Sequence, residues 1–261
     1  MPEWRLGTMG FGYAEWAKVF YPHGMKAGEY LGWYSQHFDA VELDTTFHAA
    51  PTGDRVRHWA SLTPANFRFT AKAPRTVTHD APLETAGPLM LSFLDAVRSF
   101  GDKLGAVLLQ FPPTFAANRF GALDEFLGKL PTDIRYAVEF RHPSWRISQR
   151  TEDMLHRHRA AWVSVDYTGE KAEVRSTTDF LYIRWIGEHD RFTDKDHEQL
   201  DMTERLEWWK ARILGAPNIQ TVYGFFNNDY SGYSVATCDR FKRILGVSSL
   251  RPAIQRDLFH S

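Results

Sequence analysis

The chain has 261 residues, 43% of them hydrophobic and 24% charged, with a formal net charge of -1. That balance supplies a globular core, which excludes a disordered chain, and it leaves no global field able to hold a polyanion. The single cysteine, Cys238, excludes an internal disulfide and a cysteine-rich zinc site.

Short β-rich runs alternate with stretches of helical period. Strands are predicted at Trp4–Met9, Ala40–Phe47, Phe67–Ala73, Ala106–Phe111, Arg135–Arg141, Ala161–Tyr167, Phe180–Ile186 and Thr221–Asn227. Between them, helices are predicted at Ala27–His37, Asp54–Leu62, Leu89–Phe100, Phe120–Leu130, Thr151–Arg159, Met202–Leu214 and Val235–Leu245. Thr203 with Glu204 sits where a helix N-cap and acidic first turn belong. Such alternation implies parallel strands joined by helical crossovers. About eight repeats in a chain of this length fit one α/β domain, a (β/α)8 TIM-like barrel over residues 1–261. The connection between strands six and seven, Gly169–Asp179, lacks a helical pattern and is expected to be irregular. A doubly wound sheet is the competing architecture, but the turn Gly7–Gly12 lacks its GxGxxG spacing. The longest apolar run, Ala106–Phe111, is too short to span a bilayer. Met1–Arg5 lacks the basic start and apolar stretch of a signal peptide, so no membrane partner and a cytoplasmic location are expected.

Residues two apart in a strand share a face. Glu42, Asp44 and Thr46 therefore fall together in strand two, and Glu139 with Arg141 in strand five. Strand three ends in Lys72, strand four in Gln110 and strand six in Asp166. Strand seven carries Tyr182 and Arg184 on one face, and strand eight ends in Asn227-Asn228-Asp229. In a barrel these residues converge on the C-terminal mouth, where enzymes of this shape do their chemistry. Glu42, Asp44, Lys72, Glu139 and Asp166 are the candidate catalytic groups. Gln110, Arg141, Tyr182, Arg184, Asn227 and Asn228 are candidates for binding substrate, as is His79 in Thr78-His79-Asp80. Glu139 with Arg141, or Asp44 with Lys72, reads equally well as a structural ion pair. Lys72 is expected to stay cationic beside a carboxylate.

No cofactor fingerprint is present. A divalent metal is admitted by the oxygen and nitrogen donors of Glu42, Asp44, His48, His79, Glu139, His142 and Asp166, but no metal-binding spacing singles out a site. His156 and His158, flanked by arginines, read as solvated helix surface.

The chain resembles the YecE-like family, also called the domain of unknown function seventy-two. The resemblance rests on Gly7-Thr8, Phe20-Tyr21-Pro22, Val41-Glu42-Leu43 with Thr46-Phe47 and Pro51, Lys72-Ala73-Pro74 and Thr78-His79. It continues in Leu109–Pro113, in Val138–Trp145, in Tyr182-Ile183-Arg184 and in Phe226-Asn227-Asn228. The resemblance implies a TIM-barrel type of fold. Kinship in shape with sugar isomerases and barrel nucleases is an analogy of fold and assigns no function. The sequence departs from the family pattern at Asp44, at His48-Ala49, at Ile186 and in Met9-Gly10-Phe11, which changes charge and hydrogen bonding at the mouth.

Three functions compete. The first is an isomerase, epimerase or lyase acting on a small polar or anionic, sugar-like molecule. The second is a metal-dependent phosphoesterase or nuclease, with Arg55, Arg57, Lys72, Arg75, Arg119 and Arg184 as a basic groove; the charge balance disfavours a nucleic-acid footprint. The third is a non-catalytic ligand-binding protein. No motif fixes the substrate or the oligomeric state.

Overall fold

The computed structural model describes residues 1–17, 19–169 and 173–247. Among them the chain runs β1 (Glu3–Thr8), α1 (Tyr30–Tyr34), β2 (Ala40–Leu43), α2 (Gly53–Ser61), β3 (Arg68–Lys72), α3 (Gly87–Val97), β4 (Leu104–Phe111) and α4 (Phe120–Gly128). It continues β5 (Tyr136–Phe140), α5 (Gln149–Arg157), β6 (Ala160–Trp162), β7 (Ser164–Asp166), β8 (Phe180–Trp185), α6 (Thr203–Leu214), β9 (Thr221–Phe226) and α7 (Ser234–Leu245). The strands pair in parallel as two sheets, β2-β3-β4-β5-β6 and β1-β9-β8-β7. The fold is thus mixed α/β with helical crossovers, as the alternating pattern predicts.

The two sheets meet at two seams. At one, β6 and β7 are consecutive, and Val163 between them donates its N–H to Val138 O at 3.0 Å. At the other, Asp39 N donates to Leu6 O (3.1 Å) and Gly10 N to Glu42 O (2.8 Å), with a parallel bridge between Met9 and Glu42. Gly7 makes the second seam possible, since a Cβ there would lie 1.8 Å from Ala40 O.

Alternation along the strands separates two apolar bodies. The larger joins the outward strand faces to the helices, with Trp145, Trp185, Trp209 and Phe241 among its members. The smaller joins the inward faces. There Ala40, Ala106, Ala137 and Ala161 of one sheet face Phe180, Tyr182, Tyr223 and Phe225 of the other. Small side chains on one side leave the volume that large aromatics on the other fill.

Several elements are shorter than the sequence suggests. Strand two stops at Leu43, because Asp44–Phe47 wind into a 3-10 turn held by Thr46 Oγ1, which donates to Leu43 O and Lys72 O, both at 2.7 Å. Thr46 therefore does not share a face with Glu42. The helix expected at Ala27–His37 is a 3-10 turn followed by the five residues of α1, consistent with the helix-weakening Gly28 and Gly32. Strand six breaks at Val163. At the start of α6 it is Asp201, not Thr203, whose side chain accepts a helix-entry N–H, from Thr203 N at 2.9 Å. The connection from β7 to β8 holds no helix among its described residues, as expected. No described helix is long and apolar enough to cross a membrane.

Candidate active site

Register assembles the centre of the site. Glu42 lies opposite Thr70, Lys72 opposite Leu108, and Gln110 opposite Glu139. The inward face that carries the four alanines therefore also carries Glu42, Lys72, Gln110 and Glu139 near the C-terminal ends of β2 to β5. From the other sheet, Tyr182 and Arg184 alternate with the outward Leu181, Ile183 and Trp185.

Gln110 apart, these residues form one connected network with Asp44 and Arg141. Arg184 Nη2 donates to Glu42 Oε1 and Arg184 Nη1 to Glu139 Oε2, each at 2.7 Å, while Nε lies 3.1 Å from Glu42 Oε2. Tyr182 donates to Glu42 Oε2 at 2.7 Å and pairs with Thr70 Oγ1 at 2.9 Å. Arg141 Nε forms an ion pair with Glu139 Oε1, and Lys72 Nζ donates to Asp44 Oδ1 at 2.9 Å. Both ion pairs expected from the sequence thus occur. Glu42 and Glu139 are fully buried, whereas the Asp44 side chain is 45% exposed.

Burial and charge drive the carboxyls apart. Burial raises Glu42 above the usual carboxylate value; Arg184 opposes this without cancelling it, and Asp44 adds to it. Burial acts on Glu139 in the same sense, but Arg184 and Arg141 together outweigh it and hold that carboxyl below its usual value. Asp44 is also held low, Lys72 and Arg184 outweighing its burial. Burial pushes the Tyr182 hydroxyl far up, so it remains a donor.

Above this floor lies a cavity of about 800 Å³, lined by Arg141, Tyr167, Gly187, His189, Arg191, Asn227 and Asp229 among others. The Arg141 guanidinium lies 5.1 Å from the centre of the Tyr167 ring. The Tyr167 hydroxyl is buried with no hydrogen-bond partner among the described residues. Asn227 approaches Met9 Sδ through its amide nitrogen (3.8 Å) and accepts from Asp229 N (2.9 Å). His79, in the turn after β3, stands edge-on to Phe47 at 5.0 Å; Lys72 Nζ lies 4.2 Å from the centre of the same ring. Burial, then Lys72, Arg75 and Arg141, lower the His79 pKa and keep the imidazole neutral at pH 7.

Two expected site residues lie elsewhere. Asp166 pairs in register with the outward Trp185 and so points into the helix layer. There it accepts from Arg205 (2.6 and 2.7 Å), Trp209 Nε1 (2.6 Å) and Tyr230 (2.9 Å), which gives it a structural role. Asn228 is buried beside Trp16 and α7, accepting from Trp16 Nε1 (3.3 Å) and Ser234 Oγ (2.7 Å). It ties two segments together and does not face the cavity. Conversely, Tyr167, one residue beyond Asp166, was not among the predicted site residues. The same alternation that sends Asp166 outward turns Tyr167 toward the mouth. Thr70 was also missed, while Asp229, which the end of strand eight brings to the mouth, was given no role.

The metal donors named from sequence do not gather. His142 Nδ1 accepts from Ser144 N (3.1 Å) and caps a turn, and the Arg184 guanidinium takes the position between Glu42 and Glu139 that a cation would need. Among the described residues the one group of three metal-type donors is His189, Asp190 and Asp229, where Lys195 Nζ already sits 2.8 Å from Asp229 Oδ1. Most of the proposed basic groove is likewise paired: Arg57 with Asp54, Arg75 with Asp80, Arg119 with Glu84. A larger cleft of about 1160 Å³ beside α6 is lined by Arg205, Trp208 and Arg212 and contains none of the mouth carboxylates.

The model of a family described as "Protein of unknown function DUF72" matches residues 5–257. The chain belongs to the DUF72 family. This DUF72 chain is 36% identical over 124 residues to the UPF0759 protein YecE of Escherichia coli K12, an alignment covering 48% of this chain and 46% of that protein. It is 31% identical over 147 residues to the UPF0759 protein YunF of Bacillus subtilis 168, covering 54% and 51%. In these alignments the chain spans about half the length of each curated relative. Among solved structures, a DUF72 family protein of Enterococcus faecalis V583 superimposes with a TM-score of 0.76 at 21% identity, covering 95% of this chain and 98% of that one, which shows a shared fold. A DUF72 family protein of Thermotoga maritima MSB8 gives 0.74 at 25% identity, covering 94% and 99%.

Proposed function

We propose that this DUF72 chain is a (β/α)8-barrel enzyme that takes a small polar or anionic, sugar-like molecule at its C-terminal mouth. It acts there by proton transfer, in the manner of an isomerase, epimerase or lyase. Closure of the barrel is supported by the backbone hydrogen bonds at both seams and by the enclosed alanine-and-aromatic core.

The observation that carries the chemistry is that a neutral imidazole, His79, and a cation, Lys72, both pack on the Phe47 ring, at 5.0 and 4.2 Å, close enough for Lys72 to lower the His79 pKa. A neutral imidazole accepts a proton at pH 7, and a neighbouring ammonium stabilises the negative charge that then develops on a carbonyl oxygen. Thr78 Oγ1 fixes the ring through Nδ1 at 2.8 Å. Asp44 holds Lys72, and the buried Glu42–Arg184–Glu139 network holds Arg141 and Asp44 in place. Glu42 and Glu139 are therefore positioning residues, because burial keeps them from touching substrate. A metal-dependent phosphoesterase would need cations among carboxylates that are already neutralised by arginine and lysine, so it ranks second.

The test is solvent exchange. Purified protein is incubated in D2O with sugars, sugar acids and sugar phosphates, and C–H to C–D exchange is followed by NMR. Exchange in the wild type, abolished by His79→Gln and by Lys72→Met in folded variants, supports the reading. Exchange that survives both substitutions, or no exchange with any compound, overturns it.

A further inference from the structure

The connection from β8 to α6, residues 186–202, contains no helix or strand. Structureless connections of that length are uncommon in compact folds and are often functional lids. Its far half is fastened. Gln199 N and Leu200 N donate to Ser231 O (2.7 and 3.3 Å), Glu198 takes Arg240 at 2.6 Å, and Lys195 reaches Asp229 at 2.8 Å. Its near end is fixed at Gly187, where φ is +77° and a Cβ would lie 2.1 Å from Asp229 O. Between these anchors, Glu188–Asp194 is held by local contacts. Arg191 N donates to Glu188 O (3.3 Å), and Arg191 Nη1 lies 3.8 Å from Glu188 Oε2. His189 comes only within 3.8 Å of Asp229 Oδ2.

We propose that Glu188–Asp194 is a lid and that Arg191 is its anion-binding residue, closing against Arg141 on a carboxylate or phosphate group of the ligand. The proposal rests on the reading above of a small anionic ligand at the mouth. Arg191 and Arg141 line the same cavity. Arg141 engages Glu139 through Nε, and its two Nη groups make no hydrogen bond to a described residue. The Arg191 guanidinium meets a 72%-exposed Glu188 at 3.8 Å and the neighbouring Phe192 ring at 5.7 Å, weak contacts that an oxyanion readily displaces. The buried Tyr167 hydroxyl in the same wall has no hydrogen-bond partner among the described residues and can donate to the same group. Two guanidinium forks and a phenol suit an oxyanion with several acceptor oxygens. With β6 and β7 counted as one strand, β8 and β9 are the seventh and eighth of a barrel, whose following loops frequently hold phosphate.

The probes are inorganic phosphate, a hexose 6-phosphate and a hexuronate; the readouts are calorimetric affinity and limited trypsinolysis of the Arg191–Phe192 bond. At least one probe is expected to bind and to slow cleavage there, and Arg191→Ala to weaken its binding at least about tenfold. Arg191→Lys, which keeps the cleavage site and the charge, is expected to fall between. If Arg141→Ala abolishes binding while Arg191→Ala leaves it unchanged, or if cleavage at Arg191 is undiminished at saturation, the lid is overturned and the mouth reading stands. If none of the three probes binds, both fall. Phosphate binding without hexuronate binding identifies a phosphate ester as the ligand, and the reverse a sugar acid.

Discussion

Glu42 and Glu139 come from different strands, lie in full burial and share a single guanidinium, that of Arg184, at 2.7 Å each. Their carboxyls are nonetheless driven to opposite sides of the usual carboxylate value. The difference lies in the remaining neighbours: Arg141 adds a second cation to Glu139, whereas Asp44 adds a second anion to Glu42.

Arg184→Met leaves two buried carboxylates without their common cation, and the loss is expected to be about 3–5 kcal/mol by urea unfolding. Adding Glu42→Gln and Glu139→Gln to the same chain is expected to restore most of it, because no uncompensated charge then remains buried. A triple variant no more stable than Arg184→Met would show that the cost lies in packing instead.

The opposed shifts predict opposed pH profiles. Glu139 is held below 4.5, so its stabilising contribution is complete above pH 4.5 and is lost as pH falls through the folded value. Glu42 is held above 4.5, so it costs stability once pH rises past 4.5 and up through its folded value. Relative to wild type, Glu139→Gln should therefore lose ground as pH rises toward 4.5 and then level off. Glu42→Gln should gain ground above pH 4.5. Denaturation of the three proteins from pH 3 to 8 checks this, and parallel profiles would contradict it.

Much of this arrangement is legible in the sequence because a strand has period two. Alternation grouped Glu42 with Asp44, Glu139 with Arg141 and Tyr182 with Arg184, a strand end supplied Lys72, and the register brings Glu42, Lys72 and Glu139 to one inward face that meets Arg184. Alternation fails where a strand ends early or bends. Asp166, by contrast, was assigned to the mouth as the charge near the end of its strand, yet period two itself, with Val163 and Val165 inward and Trp185 as partner, sends it to the helices. Asn228 was misplaced because a 3-10 turn begins there, and turns have no period-two face. The cavity wall from Glu188 to Arg191 has no periodic pattern at all, so only coordinates could bring it to the site.

Asp166 accepts from three side chains, and Asp166→Ala strands the Arg205 fork, the Trp209 N–H and the Tyr230 hydroxyl together. A loss of about 3 kcal/mol is expected, while ligand affinity at the mouth changes by less than about twofold, well below the tenfold that 1.4 kcal/mol would bring. Abolished binding in a folded Asp166→Asn protein would return this residue to the site.

Gly7 sits where β1 and β2 come closest, with Ala40 O 1.8 Å and Tyr34 Oη 2.7 Å from any added Cβ. Because backbone, not a flexible side chain, blocks the space, Gly7→Ala is expected to cost at least about 3 kcal/mol. It should also weaken the hydrogen bonds from Thr8 to Tyr34. Hydrogen exchange localises the damage: loss of protection at Thr8, Gly10 and Asp39, with β4 and β5 unaffected, marks the seam as the injured element.

His79 provides the most direct reading of the field at the mouth. Its lowering comes from burial first, then from Lys72, Arg75 and Arg141, with Asp80 alone pulling upward. The imidazole is therefore expected to titrate below 6.5 in a histidine NMR titration, and Lys72→Met to move the midpoint back toward that value. The sign for stability follows: as pH falls from 6.5, the unfolded chain takes up the proton first, so the folded state loses stability down to the folded midpoint. If His79 is the proton acceptor, kcat/KM must rise with pH through that same midpoint, because it reports the free enzyme. The rise must shift upward in Lys72→Met to the extent that activity survives. A midpoint at or above 6.5, or one that Lys72→Met leaves in place, would show that the cation does not act on His79, and a kcat/KM rise that does not follow the His79 midpoint would show that another group is the base.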